Sequence, residues 1–418
     1  MSASLIDHHR QPCRIKLYTY PDHHKLLHEL LAAATPILSK NASCLHSDME
    51  WACQEDNFVS HNGRLWTAEL PIFERLLSAC GRTDSPHEAD AFLVPLFFGM
   101  LSSFGWGLFN GGGGTMRGLK HKFSQEATKL FARPPHLTEE NAARHIYLAT
   151  VDVEFVEARW FVKNGSRPIV VHLGDDHQAA NPLPGKCAGQ TARCSGAQIE
   201  QWKKKLLLRN DLTVPYRLSS WLPMGFPPPY VERKSLLLFG NVNLARHPSR
   251  RRLDEEIRME AGRLGLSSRL LLTPTMTSVG EAARHSLDAR FCLCPTGDSK
   301  GFTGRFYFSI LHDCIPVRVD GWHRNLSVEE LALPFRHRID WSRAMVNYNP
   351  SRRGVEGEGD GESLLATLHG MSNREVEART RYLREIAPRL VYDRNAPVDA
   401  ADLVVEQVEA RVRAVARL

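Results

Sequence analysis

The sequence predicts an α/β protein of two domains, each a parallel sheet wrapped by helices. Three observations carry that prediction. Short apolar runs alternate with amphipathic helical stretches through both halves, the order that builds layered α/β domains. Residues 290–320, RFCLCPTGDSKGFTGRFYFSILHDCIPVRVD, read as a complete strand, loop, helix and strand, and parallel neighbours require such a crossover. A proline-rich joint, WLPMGFPPPY at 221–230, divides the chain and has linker chemistry.

The elements follow in order. CRIKLYTY (13–20) alternates and ends at Pro21-Asp22, so it reads as a strand with a turn. HKLLHELLAAA (24–34) reads as an amphipathic helix. Leu65 to Cys80 carries Leu65, Glu69, Phe73 and Leu76 at helical spacing. DSPHEADAFLVPLFFG (84–99) places a strand after an acidic turn. RHIYLATVD (144–152) and RPIVVHLGDD (167–176) read as buried strands with acidic ends, and NDLTVPY (210–216) as a short one. Beyond the joint, KSLLLFGNVN (234–243) and RLLLTP (269–274) read as strands. Between them SRRRLDEEIRMEAGRLG (249–265) places Leu253, Ile257 and Leu264 on one helix face. SVGEAARHSLDA (278–289) opens with Ser278 and Glu281 as a capping box. RRGVEGEGDGES (352–363) is an exposed acidic loop, and 364–418 is helical by pattern.

Composition bounds the function classes. With 43% hydrophobic and 24% charged residues the chain is an ordinary globular protein. A net charge of +6 favours anionic small partners. No run of basic and aromatic residues argues for nucleic acid, and RHPSRRR (246–252) reads as the solvated start of a helix. No stretch reaches membrane-spanning length, and the first residues lack the apolar core of a secretory signal. Of nine cysteines, Cys44/Cys53 and Cys187/Cys194 lie close together in polar segments and suit disulfides. Cys292 and Cys294 are expected as core thiols on one strand face, with Cys314 in a second apolar run. No second cysteine pair or histidine cluster points to a metal. Asn41, Asn164 and Asn325 head glycosylation triplets.

The chemistry concentrates in 290–320. Gly297, Gly301 and Gly304 let a backbone approach a ligand closely. Thr303 suits an N-cap and Arg305 falls in the first turn of the helix that follows. A helix N-terminus at a strand's carboxyl end suits phosphate, and Arg305 adds a bidentate fork. The segment therefore reads as the holder of a sugar nucleotide's diphosphate. The alternative is a plain connector, since the spacing matches neither the P-loop nor the dinucleotide fingerprint.

Several blocks resemble the exostosin family, glycosyltransferase family 47. In the second half the matching pieces are Phe291–Pro295, Gly297, Arg305, Cys314–Val317, Asp320–Trp322 and Asp340–Trp341. In the first half they are KLYTYPD (16–22), DSPHEADAFLVPLF (84–97) and HIYLATVD (145–152). The resemblance implies a GT-B-like α/β fold, two Rossmann-like domains facing a cleft. Residues 14–230 would form the acceptor side, 231–390 the nucleotide-sugar side, and 391–418 a C-terminal helix packing back on the first domain. It implies transfer of a sugar from a nucleotide sugar to a glycan hydroxyl, with inversion and without an essential metal or other cofactor. It also implies Golgi residence, so this chain would be soluble or truncated as given, and it leaves room for a homo-oligomer or for pairing with another glycosyltransferase. Departures from the family pattern are Phe308 for an acid, Asp313 for glycine, Val151 for histidine, and no arginine after Phe239.

For the diphosphate the expected contacts are Arg305 and the turn at Gly301, Thr303 and Gly304, with Gly297, Lys300, Asp320 and Arg246 around them. For the general base, strand-end position puts Asp152 first, then Asp175 or Asp176, then His172. Asp152 could instead cap a helix, and His172 could be a hydrogen-bonded core residue. GDD (174–176) holding a metal would need a different fold. A glycosyltransferase-like domain that binds glycan without turnover, or assists an active partner, is the rival reading.

Overall fold

The computed structural model describes residues 13–20, 68–95, 134–138, 140–148, 150, 168–173, 211–217, 233–240, 248–273, 279–295, 304–319, 333–348, 363–393 and 396–416. They form two parallel sheets with helices, so the fold class is α/β. The first sheet holds β1 (Lys16–Thr19), β2 (Gly81–Arg82), β3 (Ala91–Pro95), β4 (His145–Leu148), β5 (Ile169–His172) and β6 (Asp211–Thr213). Helix α1 (Glu69–Ala79) precedes β2. The second sheet holds β7 (Ser235–Gly240), β8 (Leu270–Thr273), β9 (Ala289–Pro295), β10 (Ile315–Val319) and β11 (Val346–Tyr348). Between its strands lie α2 (Pro248–Leu264), α3 (Val279–Asp288), α4 (Gly304–Leu311) and α5 (Trp341–Ala344). Helices α6 (Leu364–Gly370), α7 (Asn373–Ile386) and α8 (Ala400–Val415) follow.

Strand orders are β2-β1-β3-β4-β5-β6 and β11-β10-β9-β7-β8. Counted from its own first strand, each sheet runs 2-1-3-4-5, the first with one strand more. This is the doubly wound arrangement, and it reverses direction between β1 and β3 and between β7 and β9. Strands buried on both faces need continuous apolar runs. IVVH of β5, SLLLFG of β7 and IPVRV of β10 are buried at every position.

Sequence periodicity finds the main elements but misplaces details. On α2, Leu253 and Ile257 are buried whereas Leu264 is 39% exposed. The helix ends there: Gly265 takes φ +68°, and the Leu266 and Gly265 amides bond back to Ala261 and Gly262. Leu266, the residue beyond this turn, takes the buried place instead. The two-residue strand β2 and the short pair α5 and β11 carry too few residues for a periodic signal. Helix 24–34, the capping serine Ser278, the joint at 221–230 and the loop before Ser363 lie outside the described residues.

The cysteine expectation changes. Cys292 is bonded to Cys314, tying β9 to the start of β10, and Cys13 is bonded to Cys80. Cys292 is therefore not a core thiol; Cys294 is, and it is buried and free. Strand register explains the pairing. Ile315 lies opposite Phe291, so Cys314 and Cys292 sit diagonally across adjacent strands. Cys44, Cys53, Cys187, Cys194, Asn41, Asn164 and Asn325 lie outside the described residues.

The last helix returns to the first sheet. Asp399 and Asp402 form a reciprocal capping box at the start of α8, and Arg75 of α1 reaches Asp402 at 3.0 Å. Leu403, Val404, Val408 and Val412 of α8 are buried. Nearby, the Tyr392 hydroxyl donates to the Pro215 carbonyl at 2.9 Å.

His145 and His312 are buried as neutral rings. His145 Nδ1–H donates to the Asn141 carbonyl, leaving Nε2 to accept from the Tyr20 hydroxyl at 2.8 Å. Its ring stacks on Phe92 at 4.5 Å. His312 Nδ1–H donates to the Phe308 carbonyl at 2.7 Å. Burial lowers both pKa values to about 4.

Two predictions follow from this packing. Replacing Cys292 and Cys314 by serine should reduce unfolding free energy by about 2–4 kcal/mol, as loss of a structural disulfide does; unchanged urea unfolding would show that the bond is not made. The histidine pKa values lie below the unfolded value, so the unfolded chain takes up protons first as pH falls from about 6.5 to 4. Stability should then drop by up to about 1.4 kcal/mol per pH unit for each ring. Asp313, whose pKa is raised by burial, acts in the opposite sense near the lower end of that window. Urea titrations at pH 7, 6 and 5 read the slope, and His312→Leu should flatten it.

Candidate functional site

The second sheet reverses strand order between β7 and β9, so the carboxyl ends at Gly240 and Pro295 bound its natural ligand crevice. Helix α4 begins nine residues beyond β9, with Gly304 and Arg305 as its first two residues. Arg305 is half-buried. Desolvation lowers its pKa, and the nearby Cys294 thiol opposes the shift. The Ser309 hydroxyl donates to the Arg305 carbonyl at 2.8 Å and lies 3.6 Å from Cys294 Sγ. The first turns of α4 therefore stand over Cys294. Burial pushes that thiol up to about 11, against the pull of Ser309 and Arg305. It is protonated at neutral pH and is not a nucleophile.

Neighbouring elements fix the axis of α4. Phe306 packs on Trp341 with ring centres 5.6 Å apart, and Trp341 Nε1–H donates to the Pro334 carbonyl at 2.8 Å. Asp340 caps α5 by accepting from the Ser342 amide. Its own amide donates to the Tyr382 hydroxyl at 2.7 Å. Arg379 donates to the Ser342, Arg343 and Met345 carbonyls at the end of α5. The Asp340-Trp341 block thus braces the helix that carries Arg305. From the other sheet, the chain leaving β6 brings Tyr216 to Tyr307 of α4, ring centres 6.0 Å apart.

At its far end α4 closes in a Schellman turn. The Cys314 amide bonds to the Ser309 carbonyl and the Asp313 amide to that of Ile310. Asp313 sits at φ +55°, a backbone conformation that explains why a glycine would suit this place. Phe308 packs between the two apolar clusters, one of which contains Leu238, Ala282, Ala289, Cys292 and Cys314. A carboxylate there would meet hydrocarbon, so position 308 presents no acid to a ligand.

Of the expected site residues, Gly304, Arg305 and His172 are described. His172 ends β5, fully buried, and its carbonyl accepts from the Val214 amide. Asp152, Asp175, Asp176, Gly297, Lys300, Gly301, Thr303, Asp320 and Arg246 lie outside the described residues, as does Val151. Among the described residues no group of three or more His, Cys, Asp or Glu could hold a metal ion, and no helix is long and apolar enough to cross a membrane.

Two buried polar residues, one opening a helix and one near a strand end, were not read from the sequence as candidate site residues. Glu69 opens α1, is fully buried, and accepts from the Thr150 amide at 2.9 Å, beyond the end of β4. An acid at an apolar-face position was its signal. Arg318, buried one residue before the end of β10, donates to Asn347 Oδ1 at 3.1 Å. A lone arginine inside CIPVRV was the signal there.

No protein-family model matches the sequence, and no curated protein matches it. One solved structure that aligns with the chain is described as Anabaena Alr3699/HepE in complex with UDP and glucose. Identity is 12%, the TM-score is 0.30, and the alignment covers 97% of this chain and 100% of the other. A likeness at that level carries no argument about this chain.

Proposed function

We propose that this protein is an exostosin-like glycosyltransferase, moving a sugar from a nucleotide-sugar donor, a UDP-sugar in the first instance, to a glycan hydroxyl with inversion. The observation that carries this reading is the position of Arg305. It opens a helix behind the β7/β9 reversal, inside a block that resembles the exostosin family. In such a reaction a base removes the acceptor hydroxyl proton and the oxygen attacks the anomeric carbon. The bond to the diphosphate breaks, and the leaving group departs with its negative charge. Arg305 and the amides of the first turn of α4 would stabilise that charge. Gly297, Lys300, Gly301, Thr303, Asp320 and Arg246 are proposed around the same diphosphate.

Asp152 is the proposed base, with Asp175 or Asp176 as alternatives. The full burial of His172 favours a structural role for it over proton transfer. The chain is proposed as three parts, 14–230, 231–390 and 391–418, and the contact of α8 with α1 supports the last assignment. Two disulfides suit an oxidising lumen, which supports the Golgi reading. A second reading has one specific observation in its favour: Phe308 fills an apolar site where the family pattern has an acid. On that reading the domain binds glycan, or assists a partner glycosyltransferase, without turnover.

Nucleoside diphosphate release from UDP- and GDP-sugars, with and without glycan acceptors, tests the proposal; no release from any donor would sink it. Arg305→Ala should weaken UDP binding about 10- to 150-fold, the cost of a charge-assisted contact of about 1.5–3 kcal/mol. Calorimetry on the folded variant reads it, and a lowered melting temperature with unchanged affinity would make Arg305 structural. Asp152→Asn should cut turnover about 10²- to 10⁴-fold while leaving UDP affinity intact. Equal turnover would move the assignment to Asp175 or Asp176.

A further inference from the structure

Helix α1 runs along the first sheet from its carboxyl pole to its amino pole. It ends at Ala79, and Cys80 leads straight into β2, whose Gly81 lies level with Lys16 at the start of β1. Eleven residues, each rising about 1.5 Å, carry its first residue, Glu69, back to the carboxyl pole. The helix is tied along that length. At the amino pole Cys80 is bonded to Cys13. Midway, Arg75 reaches Asp402 of α8 at 3.0 Å. At the carboxyl pole Glu69 accepts from the Thr150 amide at 2.9 Å.

This last tie puts an acid at a core position. Glu69 shares the apolar stripe of Ile72, Phe73 and Leu76, all buried, and is itself fully buried. Burying a carboxylate is unfavourable, and the helix N-terminus offsets only part of that cost. An apolar side chain would fill the stripe but would take this acceptor away from the Thr150 amide. Thr150 stands beyond the end of β4, fully buried as well, and β4 adjoins β3 at the reversal of strand order in this sheet. Chain leaving such strand ends is where a doubly wound sheet takes its ligand. We infer that Glu69 is a positioning residue of the acceptor half: held at the end of a braced helix, its carboxylate fixes the chain leaving β4 through the Thr150 amide. The inference rests on the transferase reading above, in which Asp152, two residues further in sequence, is the proposed base.

Steady-state release of nucleoside diphosphate from UDP- and GDP-sugars with glycan acceptors tests it, on the full chain as parent, Glu69→Met, Glu69→Gln and Glu69→Asp. Calorimetry with UDP and GDP and amide exchange of the peptide containing Thr150 run beside it. Glu69→Met should raise exchange in that peptide and cut turnover roughly 10- to 100-fold, the effect of a misplacement near 1 Å, with nucleotide affinity unchanged. Glu69→Gln keeps an oxygen acceptor and should recover part of the turnover. A purely structural role predicts a lowered melting temperature with parental turnover from the folded protein, and that result overturns the inference. So does an equal loss in Glu69→Gln and Glu69→Met, which would make the charge and not the contact the requirement. If Glu69→Met does not fold, Glu69→Asp decides: it keeps the charge but withdraws it by one methylene, and parental turnover there overturns the inference. Each of these outcomes leaves the transferase reading standing. A parent chain that releases no nucleoside diphosphate from any donor overturns both.

Discussion

What the second sheet presents at its carboxyl end depends on one left-handed residue, Asp313. Its φ of +55° turns the chain out of α4 and into β10, which fixes the helix over the β9–β10 pair and so places Arg305. The turn is held from two sides. Arg233 donates through Nη1 to the Asp313 carbonyl at 2.7 Å and to the Ala289 carbonyl at 2.9 Å, joining the starts of β9 and β10. Arg384 of α7 meets the Asp313 carboxylate at 2.6 Å. Burial raises the Asp313 pKa while Arg384 opposes it, and burial lowers that of Arg233 to about 10. Arg384 is half exposed while Asp313 is buried, so solvent screens part of this attraction. The Cys292–Cys314 bond adds a covalent tie beside this turn.

A second constraint joins the two sheets. Just beyond β6, Pro215 and Tyr216 both touch the second half: Pro215 through Tyr392, Tyr216 through Tyr307. Helix α8 carries the polypeptide back to α1 through Arg75 and Asp402. The Tyr216 contact lies just beyond the carboxyl end of β6 and on α4. The carboxyl end of β6 is thereby held against α4.

How much of this the sequence displayed depended on the range of the interactions. Runs such as IVVH and SLLLF announce buried parallel strands because both faces are covered, and α4 is legible from its glycine start and apolar faces. Contacts that depend on register are not legible. Cys292 and Cys314 stand 22 residues apart across a crossover, and Cys13 and Cys80 stand 67 apart; proximity in sequence favoured other pairs. Glu69 reads as an ordinary helix position until Thr150 is brought to it. Arg318 reads as a lone polar residue in an apolar run until Asn347 is brought to it.

The departures from the exostosin pattern make sense as a redistribution of charge along α4. That pattern has an acid at 308 and a glycine at 313; this chain has phenylalanine and aspartate. The phenylalanine closes the apolar cluster around the Cys292–Cys314 bond. The aspartate moves negative charge to the helix C-terminus, where the dipole opposes it and Arg384 compensates. The N-terminal end of α4 is left with Arg305. Such an end is suited to phosphate and, among the described residues of α4, offers no carboxylate to ribose or sugar hydroxyls. On the proposed function, sugar recognition would then have to come from elsewhere in the chain.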